Sequence, residues 1–154
     1  MSAGDPQLAS LYCLVVEDDS FARDLLVTTL KTLGVKDVLT AASGSAAFEA
    51  MNTSKRKIDV ILADIRMPSG NGLQLLKALR SGVIKTMRLD ATFLLVTAFP
   101  SAGAVKIASS LDANGFIVKP FVPEKLEMSL LKARRTVFPA MPARYAEVAV
   151  PAEL

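Results

Sequence analysis

The sequence predicts a doubly wound α/β fold, with five helices covering both faces of a five-stranded parallel sheet. Three observations predict it. Short apolar runs without polar alternation recur along the chain, as strands buried on both faces require. Amphipathic stretches of helical period separate those runs, so the connections are right-handed crossovers. The chain has 154 residues, 51% hydrophobic and 21% charged, enough for one core without disulfide or metal staples.

The apolar runs are Leu11–Val16, Val38–Ala42, Ile58–Ala63, Phe93–Val96 and Phe116–Val118. Phe21, Leu25, Leu26, Leu30 and Leu33 give the first helix a single apolar stripe, and Gly34 stands where a C-terminal cap belongs. SGSAAFEAM forms a short second helix. The third opens with Asn71 and Gln74 at capping-box spacing, followed by Leu73, Leu75, Leu76 and Leu79. A fourth covers about Ser101–Leu111. The fifth starts near Pro123, acceptable in a first turn, with Leu126, Leu130 and Ala133 on one face. Residues 1–10 read as a lead, 11–135 as the domain, and 136–154 as a Pro- and Ala-rich tail. That tail holds Pro139, Pro142 and Pro151 and no helical period. Two readings of it stay open: a flexible extension, and an arm that packs through Phe138, Tyr145 and Val148.

Composition excludes several functions. Net charge is only +3, and the basic clusters at 55–57 and Arg134–Arg135 are too sparse for a nucleic-acid stripe. No apolar run approaches the roughly 20 residues of a membrane span, and the first residues lack the pattern of a signal peptide. The one cysteine, Cys13, lies in a predicted strand, allows no internal disulfide and reads as a small buried hydrophobe; a cytoplasmic location is expected. There is no histidine, which removes Ser–His triads and His-ligated metals. If a phosphohistidine is involved in this protein's chemistry, it must sit on a partner.

In an open parallel sheet, ligands bind beyond the carboxyl ends of the strands. Glu17 and Asp18 end the first strand and Asp64 ends the third. In the flavodoxin-like order 2-1-3-4-5 these strands are neighbours, so the acids converge. Carboxylates that close repel unless a cation sits among them. An all-oxygen ligand set selects a hard ion, Mg²⁺ fitting best. A single acid at a strand end is ordinarily just solvated, but two separated acidic ends are not so easily dismissed. Thr97 closes the fourth strand and Lys119 the fifth. Alone, each is an ordinary residue for its place. Together with the acids they make a phosphoryl-transfer set: a carboxylate nucleophile, charge neutralisation and a hydroxyl donor.

The segments LVVEDDSFARDLL, DVILADIRMPSGNGLQLL, LLVTAF and NGFIVKPF, in this order, resemble the receiver domain of two-component response regulators, the CheY-like fold, over Leu11–Arg135. The resemblance implies that Asp64 is phosphorylated by a histidine kinase or a histidine phosphotransfer protein. It also implies that Asp18 ligates Mg²⁺ directly, Glu17 acts mainly through water, and the backbone carbonyl of Arg66 completes the protein ligands. Asp19 is then a neighbour of the acidic pair. Thr97 and Lys119 would contact the phosphoryl group, and the Lys119–Pro120 bond would be cis. Thr97 and Phe116 would form the switch that remodels the face of helix four, strand five and helix five, read by a downstream protein target. Core packing is the other reading of Phe116. The segment SGVIKTMRLDAT looks longer than is common in the family, and the bulky Arg66 and Phe99 stand where receivers tune phosphoryl lifetime.

The expected function is therefore a stand-alone phosphoacceptor that catalyses only its own phosphorylation and dephosphorylation, with no direct nucleic-acid or membrane partner. An excised piece of a longer protein stays open. Fewer than twenty residues follow Arg135, too few for a DNA-reading output domain. A phosphohydrolase of the haloacid dehalogenase type needs a second acid where Ser20 stands. A receiver-shaped module that never carries phosphate would have lost part of the set, and no member is missing.

Overall fold

The computed structural model describes residues 5–139 and 141–153. The rest of the predicted lead and the end of the predicted tail lie outside them. The elements run α1 (Pro6–Ala9), β1 (Tyr12–Val16), α2 (Ser20–Thr32), β2 (Asp37–Ala41), α3 (Gly44–Thr53) and β3 (Val60–Ala63). They continue with α4 (Gly72–Arg80), β4 (Thr92–Thr97), α5 (Ala102–Ser110), β5 (Gly115–Val118), α6 (Pro123–Arg135) and α7 (Pro142–Ala146). The five strands form one parallel sheet in the order β2-β1-β3-β4-β5, as predicted. The five predicted helices are α2 to α6.

Strand side chains alternate between two cores, as the pleat demands. Leu14, Val16, Ile61, Ala63, Phe93 and Leu95 face the layer of α3, α4 and α5. Cys13, Val15, Val60, Leu62, Leu94 and Val96 face α1, α2 and α6. Each helix starts on a recognisable signal. Asp19, Ser43, Asn71 and Ser101 accept backbone N–H groups as N-caps. Asn71 and Gln74 make both halves of a capping box, at 2.9 Å each. Gly34 takes φ +111° after α2, a left-handed turn that favours glycine.

The structure departs from the sequence reading in two places. The stripe of α2 is split: Leu26, Leu30 and Leu33 are buried, whereas Phe21 is 78% and Leu25 54% exposed. Two short helices, α1 and α7, were not predicted. Of the two readings of the tail, the structure agrees with the packing arm: Tyr145 is buried, and Val148 and Val150 pack on the same core as α4. Phe138 is only half-buried. The long segment 81–91 carries no regular element but is pinned down. The Thr86 hydroxyl donates to the Met51 carbonyl at 2.6 Å, and Arg80 donates to the carbonyls of Leu89 and Ala91.

Candidate functional site

The strand register brings the predicted residues to one edge. Val16 pairs with Ala63, Ala63 with Leu95, and Thr97 with Val118. Glu17, Asp64 and Lys119 follow directly on β1, β3 and β5, and their backbones extend the ladder. Asp64 N–H donates to Val16 O at 3.0 Å, and Lys119 N–H donates to Thr97 O at 2.9 Å. The loop after Asp64 can turn so tightly because of its small residues. Ser69 and Gly70 have φ of +56° and +103°, and a Cβ at Gly72 would lie 2.2 Å from the Asp64 carbonyl oxygen. That close approach requires glycine and starts α4 against the site.

Glu17, Asp18 and Asp64 each offer a carboxylate oxygen, all within 4.8 Å of one another. Glu17 is 3% exposed, Asp64 half-buried and Asp18 exposed. The Lys119 ammonium lies among them, donating to Glu17 Oε1 and, at 3.2 Å, to Asp64 Oδ2. Asp64 Oδ1 accepts the Ile65 N–H at 2.7 Å. Burial first, and then the Asp64 charge, pushes the Glu17 carboxyl above its ordinary range although Lys119 opposes this. Burial would depress the Lys119 ammonium, but the Glu17 bond and the Asp64 charge outweigh it and raise its pKa. Lys119 is therefore held as a cation. Three carboxylates against one ammonium leave the pocket electronegative. Their hard oxygen ligands suit Mg²⁺, so the residues fit that ion.

The remaining predicted residues flank this centre. Thr97 is buried, its hydroxyl accepting the Phe99 N–H at 3.3 Å. Phe116 pairs in register with Leu95 and is half-buried against the α5-side core. Asp19 is occupied as the α2 cap, accepting the Ala22 N–H at 2.8 Å. The Lys119–Pro120 bond is cis. Arg66 and Phe99 join the loops that follow β3 and β4, the guanidinium 5.2 Å from the ring centroid. Sequence reasoning named both residues but not their pairing. It also missed the apolar groove beside the acids, where exposed Phe21 and Leu25 meet Val96, Pro120 and Phe121 next to Asp64 and Lys119.

An electronegative, lysine-bridged pocket at the carboxyl edge of a doubly wound sheet defines a narrow class of α/β protein. The family described as the response regulator receiver domain matches residues 13–131, and the chain belongs to that family. It is a receiver of the CheY type, which implies two-component signalling and is normally not a classical enzyme. It is 35% identical over 117 residues to a chemotaxis protein CheY homolog of Campylobacter jejuni, covering 76% of this chain and 87% of that one. Identity to chemotaxis protein CheY1 of Helicobacter pylori is 34%, over 76% of this chain and 91% of the relative. Among solved structures, Vibrio cholerae CheY4 superposes with a TM-score of 0.69 at 29% identity, covering 80% of this chain and 98% of that one. No helix among the described residues is long and apolar enough to cross a membrane.

Proposed function

We propose that the chain is a phosphoacceptor of a cytoplasmic two-component or phosphorelay system, with residues 11–135 as the receiver and 136–154 as an appended tail. A phosphohistidine on a histidine kinase or histidine phosphotransfer protein supplies the phosphoryl group. An Asp64 carboxylate oxygen forms the new bond to phosphorus while the phosphorus–nitrogen bond breaks, and the imidazole leaves with the electron pair. The product is an aspartyl phosphate. Water later displaces the carboxylate and releases inorganic phosphate. Glu17, Asp18, Asp64 and the Arg66 backbone carbonyl would hold Mg²⁺, which supplies neutralisation of phosphoryl charge. Lys119 adds a fixed positive charge, and the Thr97 hydroxyl donates to a phosphoryl oxygen.

The observation that carries this reading is the Lys119 ammonium bonded to both Glu17 and Asp64 inside a pocket of three carboxylates. The apolar groove of Phe21 and Leu25 supports a protein donor, because it gives a docking surface adjoining Asp64. Output is assigned to the face of α5, β5 and α6, with Thr97 and Phe116 as the moving residues that a downstream protein reads. The test is mass spectrometry of the full chain after incubation with Mg²⁺ and a small-molecule phosphodonor such as acetyl phosphate. One phosphoryl group is expected on Asp64, and Asp64→Asn should abolish it while circular dichroism stays unchanged. An unaltered wild-type mass, or equal labelling of the variant, rejects the reading.

A further inference from the structure

The segment after α6 is fastened at successive points along the molecule, and its path ends at the acidic pocket. Thr136 O accepts the Asn114 side-chain amide at 3.1 Å. Tyr145 is buried, its hydroxyl donating to Asp112 Oδ2 at 2.6 Å, and Arg144 pairs with the same carboxylate at 2.5 Å. Val148 and Val150 lie against the α4-side core. Asn71 then donates through Nδ2 to Pro151 O at 2.9 Å and to Ala152 O at 3.3 Å. Ala152 and Glu153 line one cavity of about 380 Å³ together with Asp18, Arg66 and Met67. Surface chain that merely trailed away would not collect a buried tyrosine, a two-point amide clamp and a place in this cavity.

The clamp residue matters because of where it sits. Asn71 caps α4 and belongs to the loop that carries Asp64 and Arg66, and Gly72 N–H donates to Ile65 O at 3.0 Å within that loop. The end of the tail is therefore attached to the backbone that forms the pocket. Its charge also has a sign. Glu153 lines its cavity beside the Asp18 carboxylate, which repels it, and Arg66, whose guanidinium charge attracts it. A divalent cation held by Asp18 would offset that repulsion and leave a net attraction for Glu153.

We infer that residues 136–139 and 141–153 belong to a strap whose docking is coupled to divalent-cation occupancy of the acidic pocket, with Glu153 as the coupling charge and Asn71 as the clamp. This rests on the reading that Glu17, Asp18 and Asp64 take Mg²⁺. Coupling of this kind is reciprocal: the cation tightens the strap by the factor by which the docked strap tightens the cation. Glu153 acts as a positioning charge and is not a catalytic residue.

The test is isothermal titration of the full chain with MgCl₂ at low ionic strength, in wild type, Glu153→Gln, Val148→Ser with Val150→Ser, and all three together. Each of the first two variants should weaken magnesium roughly two- to fivefold, the range of an exposed charge interaction. The combined variant should be no weaker than either, because an undocked Glu153 has nothing left to lose. Hydrogen exchange of the peptide 146–153 should slow by the same factor when magnesium is added. Equal affinities in all four proteins, or full additivity, overturn the strap inference while leaving the magnesium pocket standing. Absence of magnesium binding in the wild type overturns both. Glu153 is exposed, so Glu153→Gln keeps the test decisive even if the valine variant loses its fold.

Discussion

The two edges of the sheet each hold a cation, and the contrast between them separates structure from chemistry. At the amino edge Arg80 is 1% exposed and spends its guanidinium on neutral acceptors. It donates to the carbonyls of Leu89, Ala91, Leu111 and Asp112 and to Asn114 Oδ1 at 2.7–3.3 Å. Burial lowers its pKa, but an arginine stays charged. At the carboxyl edge the Lys119 side chain is 23% exposed and faces carboxylates that carry more charge than it can neutralise. Arg80 is saturated and inert, a bolt joining the segment before β4 to the turn before β5. Lys119 sits in a site with charge left to bind something. Burial of a cation alone is thus no sign of function; unbalanced charge at an accessible edge is.

The largest expected effect breaks the bolt. Arg80→Met strands several buried carbonyls at once, and should cost about 3 kcal/mol or more in urea unfolding. Arg80→Lys should recover little, since an ammonium cannot reproduce the planar fork. Phosphoryl acceptance by the molecules that remain folded should be unchanged. A stability loss below about 1 kcal/mol would show that water replaces the guanidinium and that the two edges differ less than their geometry implies.

Removal of the other cation should have the opposite profile. Lys119→Met takes away the fixed charge proposed to meet the phosphoryl group, and labelling of Asp64 should fall on the order of 100- to 1000-fold. It also removes the cation that now competes for Glu17 and Asp64, so the affinity for Mg²⁺ should rise. Rate and affinity moving in opposite directions is the signature to look for, by timed mass spectrometry and magnesium titration on the same sample. If both fall together, Lys119 is a structural bolt like Arg80.

A smaller effect concerns the groove beside Lys119. Phe21→Ala with Leu25→Ala changes exposed positions of α2, so stability should shift by no more than about 0.5 kcal/mol per site. Transfer from a phosphohistidine protein should slow, while labelling by acetyl phosphate keeps its rate. Equal slowing with both donors would mean that the pair shapes the pocket and does not dock a partner.

These residues also mark what the sequence could and could not disclose. Strands were legible because both cores demand continuous apolar runs, and the acids were legible because they interrupt those runs at the same end. The capping box of α4 was legible from two residues. By contrast, Phe21 and Leu25 look like core at helical spacing; only their rotation on α2, with Leu26 and Leu30 turned inward, exposes them. Arg80 reads as a cation favouring a helix C-terminus, because the carbonyls that bury it come from residues 9 to 32 positions away. The helices α1 and α7, at four and five residues, are too short to show a period. Tyr145 acquires its meaning only from Asp112, which stands in the left-handed turn before β5 at φ +51°.

The last prediction returns to the quiet half of the sheet. Cys13 lies in β1 with no exposure, and burial, reinforced by the Asp59 charge, pushes its thiol up to about 12. Its folded pKa is above the unfolded value, so the native state favours the protonated form. The resulting stability is fully present below the ordinary thiol range and is lost as pH rises from there toward about 12. At pH 8.5 the native thiolate fraction should be on the order of a thousandth of that of a free thiol. Alkylation by iodoacetamide should therefore be slowed at least as much, and should become rapid only in denaturant. Fast native labelling would mean that β1 opens locally at its amino end. The acids at its other end would then stand on a less rigid base than the pairing of β1 between β2 and β3 implies.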